Sequence, residues 1–116
     1  MERRFRLTSS IEIQRVRRSG KSFAHPLLVL ILQAGNDPIS RFAVTAGTSI
    51  GNAVQRNRAK RLLRAALREV IADFPPGYNG ILIARKPLVD ANFSQTSAAL
   101  KSLLNQAGIA SSNNNG

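Results

Sequence analysis

The sequence predicts a single small α+β domain in which three helices and three strands share one core. Three observations lead there. The length, 116 residues, is that of one ordinary domain. Three stretches carry apolar residues at helical spacing, and three shorter ones are compact apolar runs rich in strand-forming residues. Each stretch is bounded by Gly, Pro, Asn or Ser, with no internal repeat and no linker between them. A 43% apolar fraction suffices for one core of modest size. The domain is expected to occupy residues 1–107. Residues 108–116, ending in Ser-Ser-Asn-Asn-Asn-Gly, form a polar tail expected to be disordered.

The elements follow in order. Ser9-x-x-Glu12 reads as a capping box, opening a short helix over Ile11 to Arg18 that stops near Gly20. Leu27 to Gln33 suits a buried strand, and Gly35-Asn36-Asp37-Pro38 is turn chemistry. Arg41 to Gly47 reads as a second strand with Phe42, Val44 and Ala46 on one face. Asn52, with Gln55 three residues on, is the N-cap of a long helix that Pro75-Pro76-Gly77 terminates after about Phe74. Gly80 to Ala84 is the third strand. Ser94 to Ala107 repeats apolar residues at helical spacing, with Gly108 as its stop.

Charge narrows the function. Seventeen Lys and Arg against six Asp and Glu give a net charge of +11, an excess that implies a polyanionic partner. Thirteen of the seventeen fall in two clusters: Arg3, Arg4, Arg6, Arg15, Arg17, Arg18 and Lys21, then Arg56, Arg58, Lys60, Arg61, Arg64 and Arg68. The absence of cysteine excludes a disulfide scaffold and thiolate-bound zinc. The longest apolar run, Leu27 to Leu32, is far too short to span a bilayer, and the N-terminus has no apolar signal segment. The expectation is a soluble, cytoplasmic protein without a membrane partner.

A helical wheel of residues 52–73 separates two sides. Ala59, Leu62, Leu63, Ala66, Leu67 and Val70 share one, which must face the sheet. Asn57, Arg58, Arg61, Arg64 and Arg68 spread over the other, with Lys60 at the border. Arg56 falls within the apolar arc, but in the first turn, where its side chain can escape past the helix end. An ordinary solvated helix mixes charge signs; here Arg56, Lys60, Arg64 and Arg68 form a like-charge ladder at i,i+4, each step costing a few tenths of a kcal/mol. Such a face calls for a counter-anion. Arginine in particular suits bidentate phosphate contacts and stacking on unpaired bases. The start of the helix at Gly51-Asn52 adds free N–H groups and a positive dipole end. If about six phosphates are neutralised, log K against log salt should slope at about −4.

Groups for catalysis are sparse. The one histidine, His25, precedes Pro26 at a strand start and is expected to be structural or solvent-facing. Glu69 and Asp73, at i,i+4, are able to hold a weakly bound Mg²⁺, but a two-metal nuclease needs more converging carboxylates. Gly47-x-x-x-Gly51 lacks the Lys-Ser/Thr of a phosphate loop. The chain is expected to supply no catalytic side chain, metal site or small-molecule site.

The segment Gly51-Asn52-Ala53-Val54-Gln55-Arg56-Asn57-Arg58-Ala59-Lys60-Arg61-Leu62-Leu63-Arg64 closely resembles the signature G-N-A-V-x-R-N-R-x-K-R-x-x-R of the bacterial ribonuclease P protein subunit. Ile83-Ala84-Arg85-Lys86-Pro87 is similar to that family's I-A-R-K-P stretch, and the likeness covers roughly residues 4–107. The resemblance implies an α-β-β-β-α-β-α order with a mixed sheet and a left-handed crossover through the basic helix. The missing strand would lie around Lys21 to Ala24. It also implies a holoenzyme in which a catalytic RNA, with Mg²⁺, removes the 5′ leader of precursor tRNA. Carried over by position, Asn52, Arg56, Asn57, Arg58, Lys60, Arg61, Arg64 and Arg68 would face the catalytic RNA. Ile13, Arg17, Phe23 and Ile31 would line or border a leader cleft between the first helix and the sheet. Relatives often place aromatics there, and lysines where this chain has Thr48-Ser49. Core packing is the alternative reading of Ile13 and Ile31, and Asn79-Gly80 replaces an acid and an aromatic common in relatives.

Three other readings fit the residues less well. A ribosomal or other accessory protein would share the charge but not the R-N-R signature. A DNA-binding protein would present a helix-turn-helix or a dimer seam. A membrane-surface helix would carry Trp or Phe where this one has Ala and Leu.

Overall fold

The computed structural model describes residues 3–72 and 74–109. Three α-helices, α1 (Ser10–Ser19), α2 (Ala53–Ile71) and α3 (Phe93–Gln106), surround four strands. The strands are β1 (Lys21–Ala24), β2 (Leu28–Ala34), β3 (Arg41–Thr45) and β4 (Tyr78–Ala84). Short 3-10 turns at Arg3–Phe5, Thr48–Ile50 and Lys86–Asp90 complete the chain. The sheet order is β1-β2-β4-β3. β2 runs antiparallel to both β1 and β4, while β3 and β4 are parallel, so α2 is the crossover between them. The expected fourth strand is found at Lys21–Ala24. Its exposed-exposed-intermediate-exposed pattern explains why no apolar periodicity marks it.

The side-chain period of two splits the sheet into faces. Leu28, Leu30, Leu32, Phe42 and Leu82 face α2 and α3, where Ala59, Leu63, Ala66, Leu67, Leu100 and Leu103 close the larger core. The expected apolar side of the central helix is therefore the buried one, with Leu62 and Val70 half-buried on it. On the other face, Ile31 and Ile81 meet Val16 of α1 and Leu7 in a smaller cluster, with Ile13, Val29, Ala43 and Ile83 around it. Among the described residues α1 is the one helix on this side, and it packs on β2 and β4.

Two local devices set the α2 crossover. The Ser40 hydroxyl donates to the Pro75 carbonyl at 2.6 Å and accepts from the Tyr78 N–H at 2.9 Å, stitching the return loop to the start of β3. Gly80 lies under the Phe42 ring: a Cβ there would come within 2.5 Å of it. The Phe42 ring fills the space that a side chain at position 80 would need.

Several boundaries differ from expectation. α2 ends at Ile71, not Phe74, because the Phe74 ring turns in to stack edge-on against Phe42 and Tyr78. α3 begins at Phe93 with Asn92 as its cap. Ser9 accepts from the Glu12 N–H at 3.3 Å, one half of the expected box. Ile109 is buried in the larger core, so the packed domain runs two residues past the expected boundary at 107. Asp73 and the rest of the expected tail, 110–116, lie outside the described residues.

Candidate nucleic-acid interface

The interface begins with how α2 starts. Gly51 has φ +142°, which glycine tolerates, and a Cβ there would collide with the Gln55 side chain. That backbone turn lets Asn52 form a complete capping box: its Oδ1 accepts from the Gln55 N–H, and Gln55 Oε1 accepts from the Asn52 N–H, both at 2.9 Å. Asn52 therefore serves the helix start with its side-chain oxygen, although it is exposed. Thr48 and Ser49 stand exposed in the turn just before it.

The basic residues of α2 then separate into two groups. Asn57, Arg61 and Arg68 are exposed, and Lys60 and Arg64 are half-buried. On the wheel these five occupy one continuous arc away from the core. None of their cations is paired with an acid among the described residues; the ion pairs there are Arg41 with Asp37 and Lys101 with Glu69. The one acid of α2 among the described residues, Glu69, points toward α3, accepting from Ser97 Oγ at 2.6 Å with Lys101 Nζ 3.7 Å away. Nothing on the helix neutralises the stripe.

Arg56 and Arg58 behave differently. Arg56 Nη1 donates to the Gly51 carbonyl at 2.7 Å, folding the side chain back over the helix start while its other donors remain. Arg58 is on the α3 side of α2. Its Nη1 donates to the Val89 carbonyl at 2.8 Å and its Nη2 to the Ala91 carbonyl at 2.9 Å. The expectation that Arg58 belongs to the outward face is corrected on this point: the guanidinium clamps the Lys86–Asp90 turn. A wheel shows only one helix, so nothing in it records that two free carbonyls would lie alongside.

The cleft residues also divide. Ile13 and Ile31 are together in the smaller cluster beneath α1, Ile31 buried and Ile13 half-buried, so core packing accounts for much of both. Arg17, one turn beyond Ile13, is exposed. Phe23 is not with them. Its register partner is Leu30, and it packs against the larger core on the opposite face. The strand register, which sequence spacing alone does not fix, decides this.

Elsewhere, His25 Nδ1 accepts from the Leu27 N–H at 3.0 Å in the turn between β1 and β2. Among the described residues no three His, Cys, Asp or Glu side chains cluster to hold a metal, and no helix is long and apolar enough to cross a membrane.

A family model described as Ribonuclease P matches residues 1–108. The chain belongs to the ribonuclease P protein family. Among curated ribonuclease P protein components, that of Oceanobacillus iheyensis is 34% identical over 94% of this chain and 91% of its own. That of Herpetosiphon aurantiacus is 38% identical over 92% of this chain and 87% of its own. The solved RNase P protein of Staphylococcus aureus superposes with a TM-score of 0.79 at 27% identity, covering 90% of this chain and 96% of that one. The Thermotoga maritima RNase P protein gives 0.77 at 25% identity, covering 87% and 96%. The mixed four-stranded sheet with three helices is thus the fold of this family, and ribonuclease P, a tRNA-processing endoribonuclease, is the particle in which the chain has its role.

Proposed function

We propose that this chain is the RNA-binding subunit of a cytoplasmic ribonuclease P particle, holding the catalytic RNA through the cationic stripe of α2 and the 5′ leader of precursor tRNA beneath α1. The observation that carries the reading is the stripe itself. Lys60, Arg61, Arg64 and Arg68 share one face, without acids, on a helix whose opposite face is locked into the core. Four cations so placed repel one another, and phosphates relieve that repulsion. In this reading Mg²⁺ serves the RNA's chemistry. The Glu69 carboxylate is already taken by Ser97 and Lys101, and Asp73 lies outside the described residues.

The leader is assigned to the α1 side because that face of the sheet has one helix over it and keeps Val29, Ala43 and Ile83 only half-buried. Arg17 borders it with an exposed side chain whose guanidinium is able to stack on a base or pair with phosphate. The protein's contribution is binding and positioning. It neutralises phosphates close to where RNA strands must approach one another, and it supplies no proton-transfer group.

Reconstitution tests the reading. Purified protein is mixed with a bacterial ribonuclease P RNA at low Mg²⁺, and cleavage of a 5′-extended precursor tRNA is followed. Cutting at the mature 5′ end by the mixture, and by neither component alone, is the expected result. Tight, salt-sensitive RNA binding without any gain in cleavage would leave a general RNA-binding protein instead.

A further inference from the structure

The cationic stripe has an apolar neighbour. Around the first turns of α2 the angular order is Asn57, Arg61, Val54, Arg58, so Val54 lies between the stripe and the Arg58 clamp. Val54 is 73% exposed and Phe93 39% exposed; with Ile11 they are the exposed large apolar side chains among the described residues. The clamp links the side of α2 that carries Val54 to the segment that carries Phe93. Arg58 is one turn past Val54 on the same side of α2, it holds the Ala91 carbonyl at 2.9 Å, and Phe93 follows two residues later. The Asn92–Gln95 capping box, with bonds of 2.8 and 3.0 Å, fixes the backbone on either side of Phe93. Phe5, Phe23, Phe42, Phe74 and Tyr78 all pack into the larger core. Phe93 is the one aromatic residue among those described that packs into neither core cluster, and it follows the turn that Arg58 of the cationic helix holds.

We propose that Phe93, with Val54 beside it, is a stacking platform for an unpaired base of the RNA that α2 binds. The inference rests on the reading of α2 as RNA-binding. Unpaired bases are commonly recognised by stacking on aromatic side chains next to cations that hold the backbone. Here the nearest cation of the stripe on the wheel is Arg61, and the ring is held at a capped helix start that does not need to reorganise. Two exposed apolar side chains make too small a patch for a protein partner, whereas one base covers one ring.

The chain contains no tryptophan, so Phe93→Trp in the full-length protein is a single reporter. On saturation with a bacterial ribonuclease P RNA, its emission should be quenched and its access to acrylamide lost. Phe93→Leu, which keeps an apolar side chain and removes the π face, should weaken binding about tenfold. Its melting temperature and salt slope should match the parent, and Phe93→Trp should restore affinity. Unchanged tryptophan emission and accessibility at saturation, or parental affinity of Phe93→Leu, would overturn the platform. The double variant Arg61→Ala, Arg64→Ala separates the two levels. If it too binds as the parent, the reading of α2 has failed; if it binds weakly while Phe93→Leu does not, only the platform has.

Discussion

Arg58 and Ala91 are joined across the interface between α2 and the turn that leads into α3, guanidinium Nη2 to carbonyl at 2.9 Å, with Val89 taking the other arm at 2.8 Å. An arginine of the R-N-R signature thus ties two elements of the fold together. Replacing it by alanine leaves two carbonyls without a donor and frees the turn. Arg58→Ala should lower stability by about 1–3 kcal/mol, as for hydrogen bonds from a charged group. Urea unfolding reads that directly. RNA affinity should fall as well, but with the parent's salt slope, because no phosphate contact has been removed.

The stripe should show the opposite signature. Arg61→Ala and Arg68→Ala remove exposed side chains with no partner among the described residues, so unfolding should change by less than about 0.5 kcal/mol. Each should flatten the slope of log K against log salt by about 0.7–0.9 where a phosphate contact is lost. The parent slope is expected near −3, from Lys60, Arg61, Arg64 and Arg68, shallower than the sequence alone suggests because Arg58 is withdrawn from the face and Arg56 is folded back onto the Gly51 carbonyl. Titrations at several salt concentrations separate these cases, and a slope unaffected by either substitution would remove α2 from the contact.

How much of this was legible in the residues depends on how local each signal is. α2 was legible because the Asn52–Gln55 cap, the 3.6-residue period and the Pro75-Pro76-Gly77 stop all lie within the segment itself. β1 was not, since a four-residue edge strand with one half-buried side chain has no pattern to read. The start of α3 reads as Ser94, one residue late, because an apolar period does not itself fix where a helix begins. Arg58 and Phe23 are the instructive cases. Each was assigned from its own element, and each is decided by another: by the carbonyls of Val89 and Ala91, and by pairing with Leu30. Long-range register and helix-to-turn contacts are not written in spacing.

Gly80 offers a test of the larger core. It lies beneath Phe42, whose ring also meets Phe74 at a 5.0 Å centroid distance. A methyl group there would approach Phe42 Cε2 to 2.5 Å and Leu32 Cδ2 to 3.0 Å. Gly80→Ala should cost about 1–3 kcal/mol by overpacking, and Phe42→Leu in the same background should recover part of that by making room. Failure of the second substitution to recover anything would show that the ring is not what Gly80 accommodates.

Gly20 tests the α1 side. It caps the end of α1 in close contact with β2: a Cβ would meet the Val16 carbonyl at 2.6 Å, Ile31 Cγ2 at 2.8 Å and the Leu32 carbonyl at 2.9 Å. The Val16 carbonyl belongs to α1 itself, but the Leu32 carbonyl is β2 backbone and cannot rotate away, so the end of α1 must lift from β2. Its φ of −77° is ordinary, so the effect of alanine is spatial and not conformational. Gly20→Ala should therefore shift α1 while leaving α2, on the opposite face of the sheet, where it is. If the leader is held beneath α1, the variant should bind the catalytic RNA as the parent does. It should lose affinity for precursor tRNA with a leader and keep its affinity for tRNA without one. Stability should fall by about 1–3 kcal/mol, so the comparison belongs at a temperature where both proteins are folded. Equal loss for both tRNAs would mean that α1 acts on the whole particle and that the leader lies elsewhere.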